Sequence, residues 1–256
     1  MDVGTVFTSN SELPEQRQDR TRDNRRRLWP ALLTGVDHTL DLGWRGWLAL
    51  ALGLAAGWWL YVPLHELAHA LGCLATGGEV TRLEIAPAYG AAWLARWLPF
   101  VVVGSDYAGQ LTGFDTGGRD GVYLATVLVP YLLTLFPGVP ALLLCARRTG
   151  LAATAGFGAS LPWGLAPILS LSGDYYEAGS ILASRAGAVF ADVESVEIWR
   201  SDDLFRLVAD LSGRGALDGV NSAGIAAGLV LGIVLAVATL WLGTAVFQTM
   251  AKPAKP

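Results

Sequence analysis

The chain has 256 residues, 53% of them apolar and only 16% charged, and a mean hydropathy of +0.43. This composition excludes a soluble domain of ordinary usage and points to a membrane protein in contact with the lipid bilayer. A net charge of −4, with no basic surface interleaved with aromatic residues, excludes nucleic acid as an expected partner.

Residues 1–27 are polar and carry six arginines between Arg17 and Arg27. No short apolar core with a small-residue cleavage site follows directly, so 1–27 is expected to be an arginine-rich tail and not a cleaved signal. Leu28 to Trp44 is apolar but interrupted by Asp37, His38 and Asp41, which suggests an interfacial segment over 28–45; if it crosses instead, every later span inverts. Long apolar stretches then run from Gly46 to Gly78, Gly121 to Ala146, Thr149 to Gly173 and Gly219 to Ala251. Each exceeds the roughly 20 residues that span a bilayer as helix. Their internal prolines, Pro63, Pro130, Pro137, Pro140, Pro162 and Pro167, are tolerated where neighbouring helices re-satisfy freed carbonyls.

The expected fold is therefore an all-α membrane protein: one domain over 46–251 with about four transmembrane helices, a short membrane-associated β segment and one amphipathic loop helix. The β-like loop is 79–120. The loop helix is Glu194 to Leu211, with Val196, Trp199, Leu204, Leu207, Val208 and Leu211 on helical spacing within a loop, 174–218, that holds nine acids against four arginines. The arginine tail, Arg147 with Arg148, and Lys252 with Lys255 in the short tail 252–256 can all be cytoplasmic at once, giving a multi-pass protein with both termini in the cytoplasm. Cys73 and Cys145 each lie in an apolar run and read as small buried hydrophobes, not as a disulfide.

The first span contains Leu64-His65-Glu66-Leu67-Ala68-His69-Ala70. The i, i+4 spacing puts both imidazoles one helical turn apart on one face, where they can share a tetrahedral Zn²⁺. Glu66 is rotated about 100° from His65, so its carboxylate can reach a water on the metal without being a ligand, and can take and return its proton. Satisfied polar residues between helices, or an ion pathway, are the structural alternative. Two of only three histidines stand here, and a glutamate buried beside them in hydrocarbon would cost a few kcal/mol without a cation.

A catalytic zinc needs a third protein ligand and an open position. His38, in a polar patch beside Asp37, reads as an ordinary interfacial histidine. The acidic candidates are Asp106, Asp115, Asp120, Asp174 and Glu177. Asp174 is favoured because it ends the apolar third stretch, whose outer end the charge rule places on the same side as His69; a helix-flanking charge or cap is its alternative reading. Cys73 continues the histidine face but is rotated about 80° and raised about 12 Å from His65, too far for the same ion.

With these residues the chain resembles the site-2 protease family of intramembrane zinc metalloproteases over roughly residues 46–176. His65-Glu66-Leu67-Ala68-His69 inside a membrane helix is similar to the family's motif, and Gly77-Gly78-Glu79-Val80-Thr81-Arg82-Leu83-Glu84-Ile85 to the strand that follows it. Leu98-Pro99-Phe100 to Gly104, with Gly113 later, is similar to the second strand and its glycine-rich end. Asp174 is similar to the aspartate that completes the zinc site, although Ser172-Gly173-Asp174-Tyr175 stands where the family usually shows Leu-Asp-Gly preceded by an asparagine. The resemblance implies a peptide-bond hydrolase acting on a membrane-protein or peptide substrate, with His65, His69 and Asp174 as metal ligands and Glu66 as general base. It also implies a site nearer the cytosol, whereas the charge pattern places it nearer the outer face. Segment 79–104 is the expected edge strand for an unwound substrate. A transporter or membrane chaperone that uses the polar cluster structurally, and a lipid hydrolase, are the alternatives from other classes.

Overall fold

The computed structural model of the protein describes residues 28–189 and 197–251. The segment expected at the interface is a 14-residue helix, α1 (Leu28–Asp41), whose Leu28 and Ala31 pack with Leu142, Leu143 and Phe157. The 33-residue α2 (Gly43–Ala75) follows and carries the His-Glu-x-x-His motif in its last third. After it comes a three-stranded sheet of β1 (Glu79–Ile85), β2 (Val101–Val103) and β3 (Gly109–Asp115) in the order β2-β1-β3, with the one-turn α3 (Ala91–Leu94) between β1 and β2. β1 pairs in parallel with β2 and antiparallel with β3, with an irregularity around Arg82. Both expected strands are present. The third was not expected, because Gly-Gln-Leu-Thr-Gly-Phe-Asp lacks a β-branched run and becomes a strand through its ladder with β1. Leu83 and Ile85 turn inward onto Ala70 of α2, which seats the sheet on the helix that holds the motif.

The next helical stretch runs from α4 (Asp120–Leu128) through Pro130 and a kink, where Phe136 is extended (φ −156°, ψ 125°), into α5 (Val139–Ala146). α6 (Leu151–Gly164), α7 (Asp174–Gly187), α8 (Leu204–Gly213) and the 32-residue α9 (Gly219–Met250) complete the described chain. Among the described residues three helical stretches, Gly43–Ala75, Asp120–Ala146 and Gly219–Met250, are long and apolar enough to cross a membrane.

Two expectations are corrected. The stretch from Thr149 to Gly173 is not one spanning helix: α6 has 14 residues, about 21 Å at 1.5 Å per residue, and stops at Gly164. Pro167 lacks the N–H that would continue the ladder, and a single turn (Ala166–Leu169) leads to a fresh start at Asp174. The amphipathic loop helix expected up to Leu211 is interrupted: residues 198–203 are not helical, and a helix starts at Leu204, where Asp203 caps it by accepting the Arg206 N–H. Trp199, counted there as part of the helical stripe, is buried, and its ring lies against Gly224 of α9. Residues 194–196 lie outside the described residues, as do both tails.

Glycines allow the close packing that sets the site. Gly53 and Gly57 of α2 meet the main chain of Ala155 and Ala159 of α6 where a Cβ would overlap carbonyl oxygens, as small-residue contacts between membrane helices do. These contacts advance together along both helices, so α2 and α6 run parallel. Trp163, near the end of α6, reaches the level of Tyr61, and the turn after it delivers Asp174 to the next turn of α2.

Candidate metal centre

His65 and His69 stand edge to face with their Nε2 atoms 3.1 Å apart. Asp174, the first residue of α7, brings Oδ2 to 3.0 Å from His65 Nε2 and Oδ1 to 3.7 Å from His69 Nε2. Its backbone N–H donates to Ser170 Oγ (3.2 Å), which fixes where α7 begins. One ligand atom from each of the three residues lies within 4.8 Å of the others, and among the described residues this is the group of three that could hold a metal ion.

Hydrogen bonding orients the donors. His69 Nδ1 lies 2.9 Å from the carbonyl oxygen of Thr126 in α4. A carbonyl only accepts, so this nitrogen carries the proton, and the Nε2 of the neutral ring presents a lone pair to His65 and Asp174. His65 Nδ1 lies 2.9 Å from the Tyr61 hydroxyl. Asp174 Oδ2 is buried with His65 Nε2 as its near neighbour at 3.0 Å, and among the described residues no well-aligned hydrogen bond satisfies it. Two imidazole nitrogens and a carboxylate that converge at these distances fit a cation, and they are a donor set that catalytic zinc uses.

Glu66 stays outside this group. It is half-buried and packs on β3: a Cβ placed on Gly109 would stand 2.5 Å from Glu66 Cγ. Both residues line a cleft of about 920 Å³ that also contains His65, His69 and Asp174. Trp58, Tyr107, Leu169 and Phe205 line the same cleft while exposing large apolar surfaces. In the sheet order β3 is an edge, with its ladder to β1 on one side only. Residues of β3 line the cleft, whereas Val101–Val103 at the opposite edge do not.

The other acidic candidates lie elsewhere. Glu177 is buried in the wall of the same cleft and accepts a 2.5 Å hydrogen bond from Tyr123. Asp120 receives Arg200 through two bonds of 2.7 and 3.1 Å. Asp115 accepts the Gly117 N–H, and Asp106 is exposed in a bend. His38 is in α1, outside the group, and Cys73 is fully buried, its thiol 3.5 Å from the Glu79 carbonyl oxygen.

Three contributors to the centre escaped the sequence reading: Tyr61, the Thr126 carbonyl and Gly109. Tyr61 was detectable in principle, since it precedes His65 by one turn on the same face. Thr126 acts through its main chain and leaves no side-chain signature, and the Gly109 contact depends on tertiary packing. Comparison with protein-family models, curated proteins and solved structures returns no match for the chain.

Proposed function

We propose that the chain is an intramembrane zinc metalloprotease that hydrolyses a peptide bond in or near a transmembrane segment of a membrane protein, the activity implied by its resemblance to the site-2 protease family. One observation carries the reading: His65, His69 and Asp174 converge beside Glu66 in the wall of a cleft, on a helix apolar enough to cross a membrane. His65 and His69 through Nε2, and Asp174 through its carboxylate, would hold the ion. Zinc bound there supplies a Lewis acid that polarises a carbonyl and acidifies water. Glu66 accepts the proton from the attacking water and returns it to the leaving amine nitrogen.

The surroundings favour a peptide entering from lipid. The exposed apolar side chains at the cleft suit a hydrophobic segment, and the free edge of β3 offers main-chain N–H and C=O groups to a strand that has unwound. β3 thereby takes the role expected of segment 79–104. A free strand edge at the base of the cleft favours a peptide over the acyl chain of a lipid. Oriented lone pairs beside an unligated carboxylate favour catalysis over a structural cluster in a transporter.

The test is purification in detergent, metal analysis, and cleavage of a synthetic single-span peptide with a central Gly-Pro break, for wild type and Glu66→Gln. The expected result is one zinc per chain and hydrolysis that a chelator abolishes and Glu66→Gln slows by about 100-fold or more. A protein that takes up no stoichiometric zinc on supplementation, or a Glu66→Gln variant that cleaves like wild type, overturns the reading.

A further inference from the structure

We propose that Tyr61 is a positioning residue for His65: its hydroxyl holds the Nδ1 edge of the ring and accepts the Nδ1 proton when Nε2 serves the ion. The inference rests on the reading of His65, His69 and Asp174 as a metal site. Tyr61 is 7% exposed and lies one helical turn before His65, with Oη 2.9 Å from Nδ1 and ring centroids 5.1 Å apart. Its own ring is set edge-on to Trp163 at 5.5 Å, and Trp163 in turn donates its indole N–H to the Gly57 carbonyl (3.1 Å). The hydroxyl is therefore placed by a fixed aromatic pair at the α2–α6 contact.

The two histidines are held differently. The Thr126 carbonyl accepts only, so His69 has one tautomer. A hydroxyl can donate or accept, so His65 has two. With Tyr61 O–H donating to Nδ1, the neutral imidazole carries its proton on Nε2, 3.0 Å from Asp174 Oδ2 and 3.1 Å from His69 Nε2. With Nδ1–H donating to Tyr61 Oη, Nε2 presents a lone pair to the point that His69 and Asp174 already face. The exchange moves one proton between ring nitrogens and rotates one O–H, with no change in net charge. Tyr61 anchors the ring in both arrangements, so the centre keeps its shape with and without an ion. Orientation of a ligating histidine through its second nitrogen governs metal affinity.

Tyr61→Phe removes the hydroxyl and keeps the ring against Trp163. The experiment is a zinc titration of the full chain in detergent against a chromophoric chelator, together with ¹⁵N-histidine spectra of the loaded protein. The chain has three histidines, so variants at His38, His65 and His69 assign the signals. We expect Tyr61→Phe to bind zinc about 10- to 100-fold more weakly, with the His65 Nδ1 signal displaced and the His69 signals unmoved. Wild-type affinity and an unmoved His65 signal in Tyr61→Phe overturn this inference alone. Signals of His65 and His69 displaced alike mark general loosening and also overturn it. A wild type that binds no zinc overturns the metal reading and the role of Tyr61 with it.

Discussion

Gly109 of β3 lies so close to Glu66 of α2 that a Cβ on the glycine would stand 2.5 Å from Glu66 Cγ and 3.1 Å from Cδ. The strand edge and the proposed base thus share one wall, and any side chain at 109 must push the carboxylate away. Gly109→Ala should lower turnover at least tenfold, since displacements near 1 Å cost up to about 100-fold in rate. Its zinc content should not change, because position 109 touches none of the three ligands. Steady-state cleavage with metal analysis on the same preparation checks both halves. An alanine variant that turns over like wild type would show that the carboxylate can shift without consequence.

Glu66→Gln keeps the shape of the side chain and removes its capacity to take a proton. It should retain one zinc per chain and lose roughly 100- to 10,000-fold in rate, the range for a positioned general base. Zinc loss in this variant would instead assign Glu66 to the ligand set. Rate and stoichiometry together separate the two roles.

Asp174 and Glu177 sit one turn apart at the start of α7, and both line the cleft. Only Asp174 reaches both imidazoles, while the Glu177 carboxylate is held by Tyr123. Asp174→Ala should therefore lose zinc and all activity. Glu177→Ala should lose at most about 10- to 100-fold, as outer partners of a metal site do. An Asp174→Ala protein that still holds zinc, beside a Glu177→Ala protein that does not, would reverse the assignment.

Much of the centre was legible because its information is local. The i, i+4 spacing of His65 and His69 needs only a helix, and an apolar stretch as long as Gly43–Ala75 has little choice but to be one. Asp174 was favoured for ending an apolar stretch on the side of His69, and its carboxylate does meet both imidazoles. The reason differs from the expected one. Asp174 begins α7 after a break in the chain, and hydropathy cannot mark a break that Gly164 and Pro167 make inside continuous apolar sequence. Likewise the β-propensity of Thr112 and Phe114 in β3 is offset by Gly109 and Gly113, and its pairing with β1 is a long-range property. Trp199 fitted a helical stripe by spacing, yet its ring is claimed by Gly224, a contact that periodicity cannot foresee.

The same break bears on topology. α2 and α6 are parallel, by the contacts of Gly53 with Ala155 and Gly57 with Ala159. α4 runs against α2, since Gly72 meets Ala125 and Gly78 meets Val122. α9 follows the direction of α5, with Gly243 on Val139 and Arg147 over Phe247, and α7 runs against α9, with Tyr175 on Gly232 and Ser180 on Gly228. α6 and α7 therefore point the same way in succession, 14 residues each, and neither is long enough to cross alone. If the two together make one broken crossing, then with α2, the α4–α5 stretch and α9 the number of crossings is even. α1, also 14 residues or about 21 Å, is too short for a hydrocarbon core of about 30 Å. We therefore expect both termini in the cytoplasm, where the arginines of 1–27 and Lys252 and Lys255 favour them, and the Gly117-Gly118 turn outside. Reporter fusions at each terminus and cysteine labelling at Gly118 provide the check. An N-terminus inside with a C-terminus outside would mean that α1 crosses too, and would bring the metal centre towards the cytoplasmic side that the family resemblance implies.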